Sequence, residues 1–348
     1  MAKINPAFGK ELIKYGAINF NACYNCGNCT AVCSLSTEDN SFPRELIRLS
    51  ALGLEDDIKA SLKPWECYYC GECSTLCPQQ ANPGELMMSL RRYLTAQYDW
   101  TGLSGLLYKS LSFSIIAFIL TFAGVMAFVS SVGFELDKMV HFGHLFEKIA
   151  IDTVGLVILL PNLVRMWYFT ILKPKTKVPF IKYVKSIGEL FIHMFTQKRS
   201  LGCDDNQARW FEHLILVIGY LSLLFTTVVL NWFTSPYLFV VILGYVMSAV
   251  VFIVTIDFVS GRVKKKKEVS KHSQPSDIFF VVWLLLMGLT AFMVRLFIDL
   301  NILETNKWLY IFHLTVLVQW ALIIVPFGKW THFLYRSFAM YFAKLKSE

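Results

Sequence analysis

Six apolar segments, at about Phe113–Val132, Ile149–Thr170, Leu214–Leu230, Tyr237–Phe258, Ile278–Leu300 and Trp308–Phe327, leave this chain few folds to choose from. Each is close to the ~20 residues that a helix needs to cross a hydrocarbon core of ~30 Å. Inside lipid every backbone group must be satisfied within its own segment, so residues 101–348 are expected to form a bundle of six transmembrane helices. Of the 348 residues, 55% are hydrophobic and only 17% charged, which excludes an ordinary soluble protein. Residues 1–100 carry 9 Lys+Arg against 11 Asp+Glu, whereas the whole chain is at +8, so the membrane part is strongly basic. Its basic residues fall into alternate connections: eight from Lys173 to Arg209, six from Arg262 to Lys271 and four from Lys329 onward. The positive-inside rule places these loops and both termini in the cytoplasm. The Lys264–Lys267 run then reads as a topology determinant, and no nucleic-acid binding is expected. Residues 180–197 are too polar to cross, yet Phe180, Val184, Ile187, Phe191 and Met194 recur at helical spacing. They predict an amphipathic helix along the inner membrane surface, with His193, solvated or partner-facing, on the polar stripe beside Lys182, Glu189 and Gln197.

Eight of the nine cysteines lie between Cys23 and Cys77, in the polar first third. The N-terminus shows no apolar signal region, so this part is expected in the cytoplasm, where thiols stay reduced and bind metal. Cys203, in a cytoplasmic loop, reads as a free thiol. The two runs are Cys23-x2-Cys26-x2-Cys29-x3-Cys33 and Cys67-x2-Cys70-x2-Cys73-x3-Cys77-Pro78. Both match the spacing with which bacterial-type ferredoxins hold two [4Fe–4S] clusters, the fourth ligand of each coming from the other run. Cluster one is therefore assigned to Cys23, Cys26, Cys29 and Cys77, and cluster two to Cys67, Cys70, Cys73 and Cys33. Gly27 and Gly71 let the backbone pass close to the cluster. The competing reading is a pair of structural zinc sites, but zinc takes its ligands in pairs from separated knuckles rather than four in one dense run. Helix starts at Pro43 and Pro83, with little strand signal, predict an all-α domain over residues 1–100, and the apo form of it should fold poorly.

The histidines gather at the two membrane faces. His213 and His332 lie on the inner side, and His141, His144 and His313 on the outer. A haem b held by two imidazoles needs them from opposite sides of the porphyrin, and histidines are expensive in a bilayer without such a role. The expected ligands are His213 and His332 for an inner haem, and His313 with His144, or alternatively His141, for an outer one; one haem alone would leave His213 and His332. On a straight helix His313 and His332, 19 residues apart, would be about 28 Å apart and about 100° out of phase. A distortion at Pro326 is expected to restore the common face. Arg165 and Arg209 inside, and Lys148 and Arg295 outside, are candidates to neutralise haem propionates or simply to snorkel. Asp152 and Glu147 stand beside the outer site, where a carboxylate would take a proton from a quinol.

Residues 1–100 resemble the iron–sulfur C subunit of heterodisulfide reductases. Residues 140–340 are similar to the haem b subunits typified by the gamma subunit of respiratory nitrate reductase. The resemblance is carried by His313-Leu314 through Pro326-Phe327 to His332, with one extra residue here, and by Ala208-Arg209-Trp210-Phe211-Glu212-His213. Where the gamma subunit has a second histidine on that partner helix, this chain has only Leu and Phe. The combination most resembles the C subunit of quinone-interacting membrane-bound oxidoreductase complexes. That likeness implies a subunit of a bacterial inner-membrane respiratory complex, passing electrons between menaquinone or ubiquinone and soluble partners. Those partners would be flavoprotein and iron–sulfur subunits related to the A subunit of heterodisulfide reductase, with adenylylsulfate reductase as a further one. The alternative is a haem-free membrane anchor whose ferredoxin domain relays electrons to a docked enzyme.

Overall fold

The computed structural model describes residues 3–198, 207–265 and 268–347; Cys203 lies outside them. Among the described residues the chain is all-helical, with no strand beyond an isolated bridge between Thr37 and Asn40. In the first third, α1 (Phe8–Lys14), α2 (Asn28–Ala31), α3 (Arg44–Ala51), α4 (Glu55–Ala60), α5 (Lys63–Glu66) and α6 (Glu72–Thr75) gather around the longer α7 (Pro83–Tyr98). Pro83 sits in the first turn of α7, where its missing N–H is no loss. Nearly every residue of α7 is buried, and Phe8, Leu12, Leu46, Ile47 and Ile58 form one core with its Leu86, Leu90 and Leu94.

The rest of the chain continues through α8 (Leu103–Lys109), α9 (Leu111–Ser131), α10 (Leu136–Leu172), α11 (Phe180–Thr196), α12 (Gln207–Val228) and α13 (Leu238–Lys264). It ends in α14 (Glu268–Lys271), α15 (Pro275–Asp299), α16 (Lys307–Gln319) and α17 (Thr331–Lys346). Six stretches are long and apolar enough to cross a membrane: α9, α10, α12, α13, α15 and Glu304–Lys346, which contains α16 and α17. This is a multi-pass membrane protein. Helix α13 packs between α12 and α15, and α16 packs between α15 and α9. Helix α10 begins well before its apolar run, because Asp137, Lys138, His141 and His144 interrupt the hydropathy without breaking the helix.

The two parts share a core. Met166 and Ile171 of α10 and Tyr335, Ala339 and Leu345 of α17 are buried in the cluster built on α7. Each fully buried large side chain contributes about 1.5–3 kcal/mol, so the first third is held against the bundle rather than hung from it.

Helix α11 has the expected period, and its polar stripe turns toward the rest of the chain. Lys182, Tyr183, Ser186, Glu189, His193 and Gln197 turn toward the chain, where α11 packs on α17. Tyr341 donates a hydrogen bond to the Tyr183 carbonyl at 2.9 Å. The apolar stripe faces outward, with Phe180 82% and Phe191 52% exposed. His193 lies on the polar stripe: its Nε2 is 3.4 Å from Glu189 Oε2, and it lines a small cleft with Arg336. The rule that polar faces look outward holds in water and inverts where the surroundings are hydrocarbon.

Candidate functional site

Each cysteine run makes one tight loop that ends in a single helical turn. Gly27 and Gly71 precede α2 and α6 at φ of +94° and +93°, a conformation that a side chain would strain. The loops bring the thiols into two groups. Cys29 has Cys23, Cys26 and Cys77 as its electrostatic neighbours, whereas Cys73 has Cys67, Cys70 and Cys33 first and Cys29 last. Each group thus takes its fourth member from the other run. Cys33, Cys67, Cys70 and Cys73 line a cavity of about 340 Å³. Backbone N–H groups point at the sulfurs: Asn25 to Cys23 at 3.4 Å, Tyr69 to Cys67 at 3.3 Å and Ala81 to Cys77 at 3.3 Å. Such hydrogen bonds tune cluster potentials. Burial pushes the Cys33 thiol up to about 11, with Cys67 and Cys70 adding to the rise. Thiols so hard to ionise are thiolates only when a metal takes the proton's place.

Beside this cavity lies another, of about 360 Å³, lined by both parts of the chain. His213 of α12 and His332 of α17 face each other there, with ring centroids 6.3 Å apart and planes at 83°. Two imidazoles that each bond one metal atom at about 2 Å from opposite sides have centroids about 6 Å apart. The donor set fits a haem. The helix is distorted between His313 and His332: a π-turn at Trp320–Ile324 precedes Pro326, and the chain leaves helical geometry at Gly328 before α17 begins. Tyr68 and Tyr69, between two cysteines of the second run, line both cavities.

The wall between the parts is polar and buried. Tyr69 Oη donates to Glu85 at 2.6 Å, Arg92 pairs with Glu85 at 3.2 Å and with Asp277 at 3.0 Å, and Lys329 pairs with Asp277 at 2.7 Å. Burial pushes the Glu85 carboxyl up, against the pull of Arg92 and Tyr69. Asp277 is the hinge of this network, joining α7, α15 and the start of α17. Asp277→Ala leaves Arg92 and Lys329 without their shared carboxylate, and a loss of about 3–5 kcal/mol is expected. It should appear as a lowered melting temperature of the detergent-solubilised chain.

On the opposite face, His313, His144, Glu147, Tyr310 and Asn301 line a cavity of about 310 Å³. Thr290 Oγ1 donates to the Leu286 carbonyl at 2.7 Å and so accepts from His313 Nδ1 at 2.8 Å, leaving Nε2 as the free lone pair. His141 and Asp152 are exposed and outside this cavity. Of the cations expected near propionates, Arg209 alone lines the inner cavity. Arg165 instead donates to the Gln97 and Tyr98 carbonyls at 3.0 Å, Arg295 pairs with Asp299 at 2.9 Å, and Lys148 is exposed. Arg91 and Arg336, which also line the inner cavity, had no signal in the sequence beyond their charge.

A family model described as a 4Fe-4S dicluster domain matches residues 22–82, which hold all eight grouped cysteines. The chain carries an iron–sulfur domain. A protein of Archaeoglobus profundus described as like the C subunit of heterodisulfide reductase is 33% identical over 90 residues, 25% of this chain and 48% of that protein. The chain thus spans about half the length of the curated relative it matches. No solved structure matches. An iron–sulfur domain on six membrane-length helices has the make-up of an electron-transfer subunit.

Proposed function

We propose that the chain passes electrons between the membrane quinone pool and soluble flavin and iron–sulfur subunits related to heterodisulfide reductase, in a bacterial inner-membrane complex of sulfur-compound metabolism. Adenylylsulfate reductase is the proposed further partner. When bound, haem b and [4Fe–4S] clusters supply one-electron transfer. Cys23, Cys26, Cys29 and Cys77 hold one cluster, and Cys67, Cys70, Cys73 and Cys33 the other. His213 and His332 hold the inner haem. His313, its Nδ1 proton fixed by Thr290, and His144 hold an outer one. Glu147, in the same outer cavity, is placed to take a proton from a quinol, whereas exposed Asp152 is set aside. The basic loops keep the iron–sulfur domain in the cytoplasm, and the outward apolar stripe of α11 lies in the inner leaflet.

One observation carries this reading: the facing pair His213 and His332 lies in a cavity that shares Tyr68 and Tyr69 with the thiol-lined one. A pyridine haemochrome assay on the purified chain tests it, with two haems per chain expected. One haem would withdraw the outer ligands. A chain holding iron and sulfide but no haem would be a membrane anchor with a relay domain.

A further inference from the structure

The inner cavity is built for an anion. Seven cationic side chains, Arg91, Arg209, Arg336 and Lys329 among them, line it with the two histidines, against three carboxylates, Glu212, Asp257 and Asp277. Asp277, on the same wall, is already shared between Arg92 and Lys329 at 3.0 and 2.7 Å. Arg336 Nη2 is buried and has no hydrogen-bond partner among the described residues. A guanidinium in a low-dielectric site is costly unless it is paired, so the arrangement calls for negative oxygens that the described side chains do not give Arg336. Two of these arginines also reach the cysteine loop. Arg91 donates to the carbonyls of Pro64, at 2.7 Å, and Cys67, and Arg209 donates to the carbonyl of Tyr69 at 3.0 Å.

From this arrangement we infer that Arg336, with Arg91 and Arg209, forms a carboxylate clamp for the two propionates of the inner haem, and that Arg91 and Arg209 anchor the clamp to the loop of cluster two. This rests on the proposed haem. Chemistry favours that ligand because its iron and its carboxylates need neutral imidazoles and fixed cations within one cavity, which is what His213, His332 and the arginines supply. A phospholipid phosphate would satisfy the arginines but leave the facing imidazoles without a role. These are positioning residues, acting on the haem through its carboxylates.

The test is a spectroelectrochemical titration of the b-type absorption in the full-length chain. A buried charge-assisted pair is a large enough interaction that Arg336→Gln should shift the oxidised-to-reduced ratio about tenfold toward oxidised, which for one electron is about 59 mV downward. Arg336→Lys, which keeps the charge, should recover most of it. Loss of haem from Arg336→Gln that Arg336→Lys restores would be the stronger form of the same result. An unmoved midpoint in Arg336→Gln overturns the clamp, as does a lysine variant displaced as far as the glutamine one. A phospholipid that copurifies with the wild-type chain and is lost from Arg336→Gln, at unchanged midpoint, would assign the site to lipid. A wild-type chain without haem would instead remove the reading on which the clamp depends.

Discussion

Replacing either His213 or His332 by leucine is expected to abolish the inner b-type α band completely, while the low-temperature iron–sulfur signals persist. The size of the effect follows from the ligand geometry. The two rings are 6.3 Å apart and come from helices that the sequence separates by more than half the bundle, so neither has a local substitute. A leucine removes one of the two nitrogen donors that would hold the haem, and losing a ligand outright exceeds the 10–100-fold typical of losing its outer-shell support. His141→Leu is the internal control: that side chain is exposed and outside both cavities, and its spectrum should equal wild type. Unchanged spectra in both His213→Leu and His332→Leu would eliminate the inner haem.

Cys33→Ala is expected to destroy the second cluster and spare the first, although Cys33 belongs to the first run. The thiol sits with Cys67, Cys70 and Cys73 on the wall of the 340 Å³ cavity. Conversely, Cys77→Ala should remove the cluster of Cys23, Cys26 and Cys29. Each variant should keep about half of the non-haem iron, and the surviving paramagnetic signal should differ between them. If Cys33→Ala instead lost the cluster of its own run, the crossed grouping would be wrong. Both variants should also unfold more readily, because each cluster joins segments that the sequence holds far apart.

The cysteine grouping was legible because metal chemistry leaves spacing little freedom, and each run shows its three converging thiols in seven residues. His213, His313 and His332 were legible for a related reason, since isolated imidazoles stand out against apolar helices. The polar wall was not. Glu85, Arg91 and Arg92 lie on α7, and their burial depends on tertiary contacts such as that of Arg92 with Asp277 of α15. For Arg165 and Arg295 the sequence left propionate contact and snorkelling both open, and the structure has them satisfy backbone carbonyls or a neighbouring carboxylate. In α11 the 3.6-residue period was readable, and the structure adds that the polar face meets α17.

The shared core constrains how such a molecule can be made. Trp65, just before the second cysteine run, packs its ring 5.5 Å from Tyr335, and Tyr98 lies 5.4 Å from that same tyrosine. On the ribosome, Tyr335 emerges downstream of every other helix of membrane length. The N-terminal third therefore waits, with part of its interior open to water, until the bundle has inserted and α17 has folded back against it. Biogenesis thus runs from lipid insertion to closure of the metal-binding end, and a translation product stopped before Tyr335 would be left with that end unsealed.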